Sequence, residues 1–169
     1  MTVNEYLAGY MKPQTLENQG NETFYLFGST DGDLWEEFLS RYVRPTTVYP
    51  SETLKSLDPC ALSAQKEWTA LSFGIAGLNS GVPFHFHGPG FLQVLHGRKE
   101  WYLYPPDSHP LFHPNESTYF WYSNVLPTLK EAPTHRCILE PGDVIYFPDR
   151  WLHATLNLDE YTAFIATFA

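Results

Sequence analysis

Short runs in which apolar and polar residues alternate, separated by Pro and Gly, dominate the chain from residue 68 onward. Successive side chains of a strand point to opposite faces, so these runs predict β-strands. We expect strands at residues 68–75, 84–87, 91–95, 99–104, 136–139, 143–147, 153–157 and 162–168. About eight short strands joined by turns favour a mainly β fold of the barrel or jelly-roll type.

Helical patterns come before these strands. Thr2 and Glu5 form a capping-box sequence ahead of Tyr6, which predicts a short N-terminal helix. Residues 34–42 carry apolar side chains at four-residue intervals and predict a second helix, following a strand at residues 23–27.

Two further segments complete the prediction. Residues 44–66 contain three prolines and are expected to be a long loop. Residues 115–126 interrupt the strands and predict a helical insertion, capped by Asn115 and closed by Pro127.

The length and composition fit one domain. A chain of 169 residues with 43% hydrophobic residues can bury one sizeable core. We expect a single domain over residues 1–169, with a helical and loop part at 1–66 and a β core at 68–168. Aromatic residues make up 17% of the chain, which suits packed sheets.

The charge and hydropathy of the chain limit the kinds of partner that it can bind. The formal net charge is −9, and no basic cluster is present to neutralise phosphates, so binding to nucleic acid is disfavoured. No apolar run approaches the length needed to span a bilayer, and the first residues lack a signal-peptide pattern. We expect no membrane span.

Four residues are relevant to the cellular compartment of the protein. Asn21 and Asn115 each begin an N-glycosylation sequon in polar, loop-like sequence. Cys60 and Cys137 are the only cysteines. They can form one disulfide in an oxidising compartment or remain two buried free thiols, and the sequence leaves both alternatives open.

Three histidines are the main candidates for chemistry. His85 and His87 are two residues apart, so on a strand both imidazoles point to one face. His153 begins a distant strand after a Pro-containing turn. Two ligands from one strand and one from another can build a metal site at the mouth of a barrel. The alternative is a structural or solvent-facing pair of histidines.

Three segments carry a family resemblance. Residues 97–106 (GRKEWYLYPP), 141–148 (PGDVIYFP) and 151–157 (WLHATLN) resemble the jumonji-C (JmjC) branch of the cupin superfamily. The resemblance implies a double-stranded β-helix and, in many members, Fe(II)- and 2-oxoglutarate-dependent oxygenase activity. Residues 82–91 resemble the corresponding run of a family member that resides in the endoplasmic-reticulum lumen. This likeness implies lumenal residence and a missing native N-terminus; the cytoplasm is the alternative.

The resemblance assigns the metal ligands by position. His85 and His153 match the first and last ligands of the family's metal triad, and His87 stands where the family has Asp or Glu. Three neutral imidazoles can still bind Fe(II) or another divalent metal, but the complex lacks one negative charge.

The resemblance also suggests a cosubstrate site. Lys99 matches the lysine that binds the far carboxylate of 2-oxoglutarate, but Val82 replaces its usual hydroxyl partner. Thr155 and Asn157 lie on the face of His153 and can supply polar contacts instead. The alternative is that Lys99 extends to the rim and Asn157 caps a strand end.

Two functions from different classes are the main candidates, and a third is more distant. The first is a divergent JmjC protein, not a demethylase, that binds a protein partner or regulates it and keeps a residual three-histidine metal site. The alternative is an active Fe(II)- and 2-oxoglutarate-dependent hydroxylase of a protein substrate. A sugar-binding or isomerase-type cupin is a third. The spacing of Ser, Cys and His suggests no nucleophile, and no catalytic residue is assigned.

Overall fold

Two antiparallel β-sheets form the described part of the chain. The computed structural model describes residues 2–18, 25–43, 45 and 71–168. Their eight strands are β1 (Leu26–Ser29), β2 (Leu71–Gly77), β3 (Gly90–His96), β4 (Lys99–Tyr104), β5 (His135–Leu139), β6 (Val144–Phe147), β7 (Leu152–Asn157) and β8 (Tyr161–Phe168). One sheet has the order β1-β2-β8-β3-β6 and the other β5-β4-β7. This architecture confirms the mainly β, cupin-type fold.

The core lies between the two sheets. Alternate residues of β3 are buried, and Leu92 and Val94 pair with inward residues of β8. Trp101 and Leu103 of β4 pack against them from the other sheet. Burying a large apolar side chain contributes roughly 1.5–3 kcal/mol. The alternation in the sequence therefore produces both the strands and the core.

The N-terminal helix, α1, is short. It consists of an α-helical turn, Val3–Glu5, followed by a π-helical turn, Tyr6–Tyr10, and the predicted capping box of Thr2 is present. Tyr6 is fully buried, and its hydroxyl donates a hydrogen bond to the Ile75 carbonyl at 3.0 Å. This one side chain anchors α1 to β2.

The second predicted helix, α2, is confirmed. A 3₁₀ turn, Asp33–Trp35, leads into an α-helix, Glu36–Arg41. Trp35 and Phe38 pack against the Phe73 ring of β2, with ring centroids 5.2 and 5.9 Å away. The strand expected at residues 23–27 overlaps β1 at residues 26–27, and its first two residues lie outside the described residues.

The helical insertion, α3, begins and ends differently from the prediction. It comprises Thr118–Phe120, a π-helical turn Trp121–Val125 and a 3₁₀ turn Leu126–Thr128. Its cap is Ser117, whose hydroxyl accepts a hydrogen bond from the Phe120 amide at 3.0 Å. The predicted cap Asn115 lies in a preceding turn, where its backbone N–H donates a hydrogen bond to His113 Nδ1 at 3.2 Å. Pro127 lies inside the final 3₁₀ turn, where its missing N–H is tolerated.

One predicted strand is absent. Residues 84–87 form no regular strand, and only His85 makes a β-bridge, to His153. The loop predicted at 44–66, except for residue 45, and the beginning of the strand predicted at 68–75 lie outside the described residues. In the described ranges no helix is long and apolar enough to cross a membrane.

Trp121 holds the insertion against the outer face of the smaller sheet. Its side chain is 2% exposed, and its indole nitrogen donates to the Leu111 carbonyl at 2.8 Å. Its ring meets those of Phe84 and Tyr102 edge-on, with centroids 4.9 and 5.0 Å away. These contacts join α3 to β4 and to the segment that precedes His85.

We expect Trp121→Ala to lower the free energy of unfolding by about 3–5 kcal/mol, because it leaves a cavity and an unpaired Leu111 carbonyl. Leu111→Ala is the control, since that side chain is 66% exposed; its effect should stay within about 0.5 kcal/mol. Chemical denaturation of both variants measures the difference. Equal effects would show that Trp121 does not hold the insertion in place.

Candidate metal centre

Residues 80–85, which include His85, run beside β7 as an irregular addition to the smaller sheet. Backbone hydrogen bonds join Ser80 to Asn157, Val82 to Thr155 and His85 to His153. The last pair exchanges two bonds, of 3.0 and 2.9 Å. The metal-site candidates His85 and His153 are therefore direct neighbours across a strand pair.

A one-residue bulge sets the direction of His85. Three residue steps separate Val82 from His85, but only two separate their partners on β7. Pro83, which has no N–H to donate, lies within the extra step. Directly opposite residues of an antiparallel pair share a face, so the bulge turns His85 toward the face of His153 and Phe84 toward Trp121.

Gly81 permits the close approach of this segment to β7. A Cβ atom at this position would lie 1.8 Å from the Thr155 carbonyl oxygen and 2.8 Å from its carbonyl carbon. Both are backbone atoms and cannot move aside without breaking the strand pairing. Only glycine therefore fits here.

The structure brings His85, His87 and His153 together. One ring nitrogen of each lies within 4.8 Å of those of the other two. The ring centroids of His85 and His153 are 4.3 Å apart, and His87 lies 5.4 and 4.9 Å from them. Within the described part of the chain, no Asp, Glu or Cys joins the group. The predicted convergence is present, although residues 84–87 are not the expected regular strand.

Backbone carbonyls fix the tautomer of all three rings. The Nδ1 atoms of His85, His87 and His153 lie 2.8, 2.7 and 2.8 Å from the carbonyl oxygens of Pro83, Gly88 and Trp151. A carbonyl only accepts, so each Nδ1 carries the proton and donates it. The lone pair of each neutral ring is then on Nε2. Such carbonyl contacts orient and polarise histidine ligands in metal sites.

Burial keeps the rings of His85 and His153 neutral. It lowers the pKa of His153 to about 4, with a smaller contribution from the neighbouring His85. Burial also lowers the pKa of His85. Desolvation disfavours the imidazolium form, so near neutral pH these two lone pairs are free of protons. The group can therefore bind a divalent metal without first losing protons from these two rings.

A cavity of about 160 Å³ opens beside the three imidazoles. A cavity of about this volume admits a molecule the size of benzene, so the ligand must be compact. Most of its wall is apolar, and Lys99 is the cationic residue among those that line it; the lining also includes Phe27, Val82, Leu92, Phe147, Phe164 and Ala166.

Lys99 is turned into the cavity wall and does not extend to the rim. It is 1% exposed, and its ammonium donates hydrogen bonds to the Tyr25 hydroxyl and to Asn157 Oδ1, both at 2.8 Å. Burial lowers the pKa of Lys99 to about 7. No carboxylate of the described residues pairs with it. A buried ammonium without an anion is costly, which suits an anionic ligand.

Asn157 positions the ammonium and does not merely cap a strand. Its Nδ2 donates to the Ala76 carbonyl and the Ser80 hydroxyl, both at 3.2 Å, which leaves Oδ1 for Lys99. The rim position considered for Lys99 is therefore wrong, and Asn157 does more than cap a strand end.

Tyr25 is the residue that sequence reasoning missed. It lines the cavity, hydrogen-bonds Lys99 and Thr155, and provides the hydroxyl that Val82 lacks. Thr155 also accepts a hydrogen bond from the Val82 amide at 3.2 Å. A tyrosine 74 residues from the lysine gives no spacing signal.

The remaining candidates lie away from the cavity. The other histidines, His96, His109, His113 and His135, are exposed. Asn115 is exposed in a turn, as a glycosylation site requires, whereas Asn21 and Cys60 lie outside the described residues. Cys137 is a half-buried free thiol.

Comparisons with known proteins identify the family of the chain. Residues 80–168 match the cupin-like domain family. Over 167 residues the chain is 46% identical to JmjC domain-containing protein 8 of Rattus norvegicus, an alignment that covers 97% of this chain and 55% of the relative. The human protein of that name is 43% identical over 165 residues, with 97% and 56% covered. The chain thus spans about half the length of these curated relatives.

A solved structure shows a more distant likeness. The ribosomal oxygenase YcfD of Escherichia coli superimposes with a TM-score of 0.44 at 17% identity, over 64% of this chain and 27% of that one.

We expect Gly81→Ala to weaken metal binding by about 10–100-fold, the range typical of changes to the residues that support metal ligands. The added methyl group forces residues 81–85 away from β7 and displaces His85. Gly28→Ala is the matched control, because a Cβ atom there meets nothing within 4 Å. Calorimetric titration with Zn(II) measures the metal affinity of both variants. An unchanged affinity in Gly81→Ala would show that the bulged segment does not position His85.

Proposed function

Because the chain belongs to the cupin-like domain family, we propose that it is a divergent JmjC protein that binds a divalent metal but supports little or no 2-oxoglutarate-dependent oxidation. In this proposal it is not a histone demethylase and acts by binding or regulating a protein partner. The single observation that carries the proposal is the third imidazole, His87, at the position where the resemblance places a carboxylate.

The charge of the site supports this proposal. A triad with one carboxylate lowers the charge of a divalent metal by one unit, whereas three neutral imidazoles leave it unchanged. The cavity wall is mostly apolar and already holds the Lys99 ammonium. Additional positive charge is costly in such surroundings, so the metal and its cosubstrate assemble less readily.

The residues present fit a divalent metal that accepts nitrogen ligands. The Nε2 atoms of His85, His87 and His153 would hold it, and their Nδ1 contacts would keep the rings in place. When bound, such a metal supplies Lewis-acid chemistry or, if it is iron, oxygen activation. Lys99, oriented by Tyr25 and Asn157, would bind the carboxylate of a small anion in the same cavity.

A second candidate function rests on that same lysine. An Fe(II)- and 2-oxoglutarate-dependent protein hydroxylase needs an anchored dicarboxylate beside the metal, and the buried Lys99 fits that role. The two candidates differ in whether the metal-loaded protein consumes 2-oxoglutarate.

A protein partner would meet the rim of the cavity. The cavity admits only a compact ligand, but Phe86, between two of the metal-site histidines, is 61% exposed, and the cavity-lining Phe27 is 44% exposed. Exposed aromatic side chains are enriched at protein interfaces. We place the partner or the substrate side chain at this rim.

We expect the Fe(II)-loaded protein to bind 2-oxoglutarate weakly and to consume it slowly or not at all. His87→Asp should raise binding by about tenfold or more at limiting Fe(II), because a carboxylate contributes charge that holds the metal. Anaerobic calorimetric titration measures binding, and succinate formation in air measures turnover. Lys99→Met is the control for the anion site and should abolish binding in both backgrounds.

Rapid succinate formation by the unmodified protein would favour the hydroxylase. Tight binding of 2-oxoglutarate that His87→Asp destroys would show that the role assigned to His87 is wrong.

We also propose residence in the endoplasmic-reticulum lumen, supported by the exposed sequon at Asn115. Expression of the full precursor in mammalian cells should give a protein whose gel mobility rises after treatment with a glycosidase that removes N-glycans. Ser117→Ala breaks the sequon but also removes the cap of α3, so Asn115→Gln is the better control. Peptides with unmodified Asn115 would count against lumenal residence.

A further inference from the structure

The three-histidine site offers nitrogen donors and no carboxylate among the described residues. All three available donors are neutral ring nitrogens, and no oxygen donor of an Asp or Glu of the described residues lies in the group. Imidazole suits zinc, copper and nickel as well as iron, whereas a set of two histidines and one carboxylate is typical of iron(II) oxygenases. The donor set therefore departs from the one that the family's iron chemistry uses.

His87 is held as firmly as the other two donors. Its Nδ1 lies 2.7 Å from the Gly88 carbonyl, and the Phe147 ring meets its ring edge-on at a centroid distance of 5.1 Å. Phe147 is itself 2% exposed and stacks on Trp101, with centroids 5.4 Å apart. The imidazole of His87 is thus oriented from two sides.

The surroundings offer little to replace a missing carboxylate. Among the cavity-lining residues the hydroxyl groups belong to Tyr25 and Thr155, and these already bond to each other and to Lys99 or Val82. A metal that favours oxygen ligands would have to take them from water or from an added anion. A metal that favours nitrogen can complete a tetrahedral shell with one such ligand.

From these observations we propose that His87 makes the site selective for a nitrogen-preferring ion, zinc(II), over iron(II). The proposal rests on the metal site of the proposed function. Most sites that combine N, O and S donors bind zinc more tightly than iron(II), so the affinity order alone says nothing about His87. The distinguishing quantity is the ratio of the two dissociation constants and its dependence on the residue at position 87.

The test is a competition titration of the metal-free protein with Zn(II) and with Fe(II) under anaerobic conditions, against a chelating dye. We expect His87→Asp to lower the zinc-to-iron selectivity by at least about tenfold, because the carboxylate strengthens iron binding more than zinc binding. The control is His87→Asn, because Asn has nearly the shape of Asp but no charge. This variant should bind both metals more weakly than the unmodified protein and should bind iron more weakly than His87→Asp does.

Two further variants tie the measurement to this site. His153→Ala should abolish tight binding of both ions, and His96→Ala, which removes an exposed histidine outside the group, should leave both affinities unchanged. Circular dichroism of each variant confirms that it is folded.

The outcomes separate the two proposals. If neither ion binds, or if His153→Ala binds both as tightly as before, the metal site of the proposed function is wrong. If both ions bind at the site but His87→Asp leaves the selectivity unchanged, the metal site stands and the role of His87 as its selectivity residue is overturned.

Discussion

The backbone of residues 80–85 lies against β7, and the position of the candidate site depends on that contact. The His85–His153 pair exchanges two backbone hydrogen bonds and places two imidazoles 4.3 Å apart between ring centroids. The approach requires a glycine at position 81, and the direction of His85 requires the bulge at Pro83. A regular strand would instead place Phe84 opposite His153, and a phenyl ring would then occupy the site.

The cavity combines an apolar wall with basic side chains, and burial decides the protonation of three of them. The pKa values of His85, His153 and Lys99 are all lowered by desolvation. The carbonyl contacts of the imidazoles and the hydrogen bonds of Lys99 therefore stabilise orientation without requiring a buried acidic partner. A bound cation and a bound anion supply opposite charges, so each makes the other less costly to bury.

Sequence reasoning located what depends on local pattern. Alternation predicted most strands, and the spacing of His85 and His87 predicted that their imidazoles share a face. It failed where a distant contact overrides the pattern. Residues 84–87 alternate like a strand, but the bulge and Pro83 break the pairing. The sequence predicts Asn115 as the cap of α3, but Asn115 lies in the preceding turn and the Ser117 hydroxyl caps the helix. Tyr25 carries no local signal, because only the folded sheets bring it to Lys99.

The pairing of β4 with β7 sets the distance between Lys99 and the histidine group. Lys99 lies opposite Asn157, Trp101 opposite Thr155 and Leu103 opposite His153. Lys99 and His153 therefore lie four residue positions apart, about 13 Å along the strands. Both side chains extend into the space between these positions. This separation does not depend on the residue at position 87. In the function proposed above, the side chain at position 87 would change the charge and the preferred metal while Lys99 keeps its distance from the histidines, so metal chemistry and ligand length would vary separately.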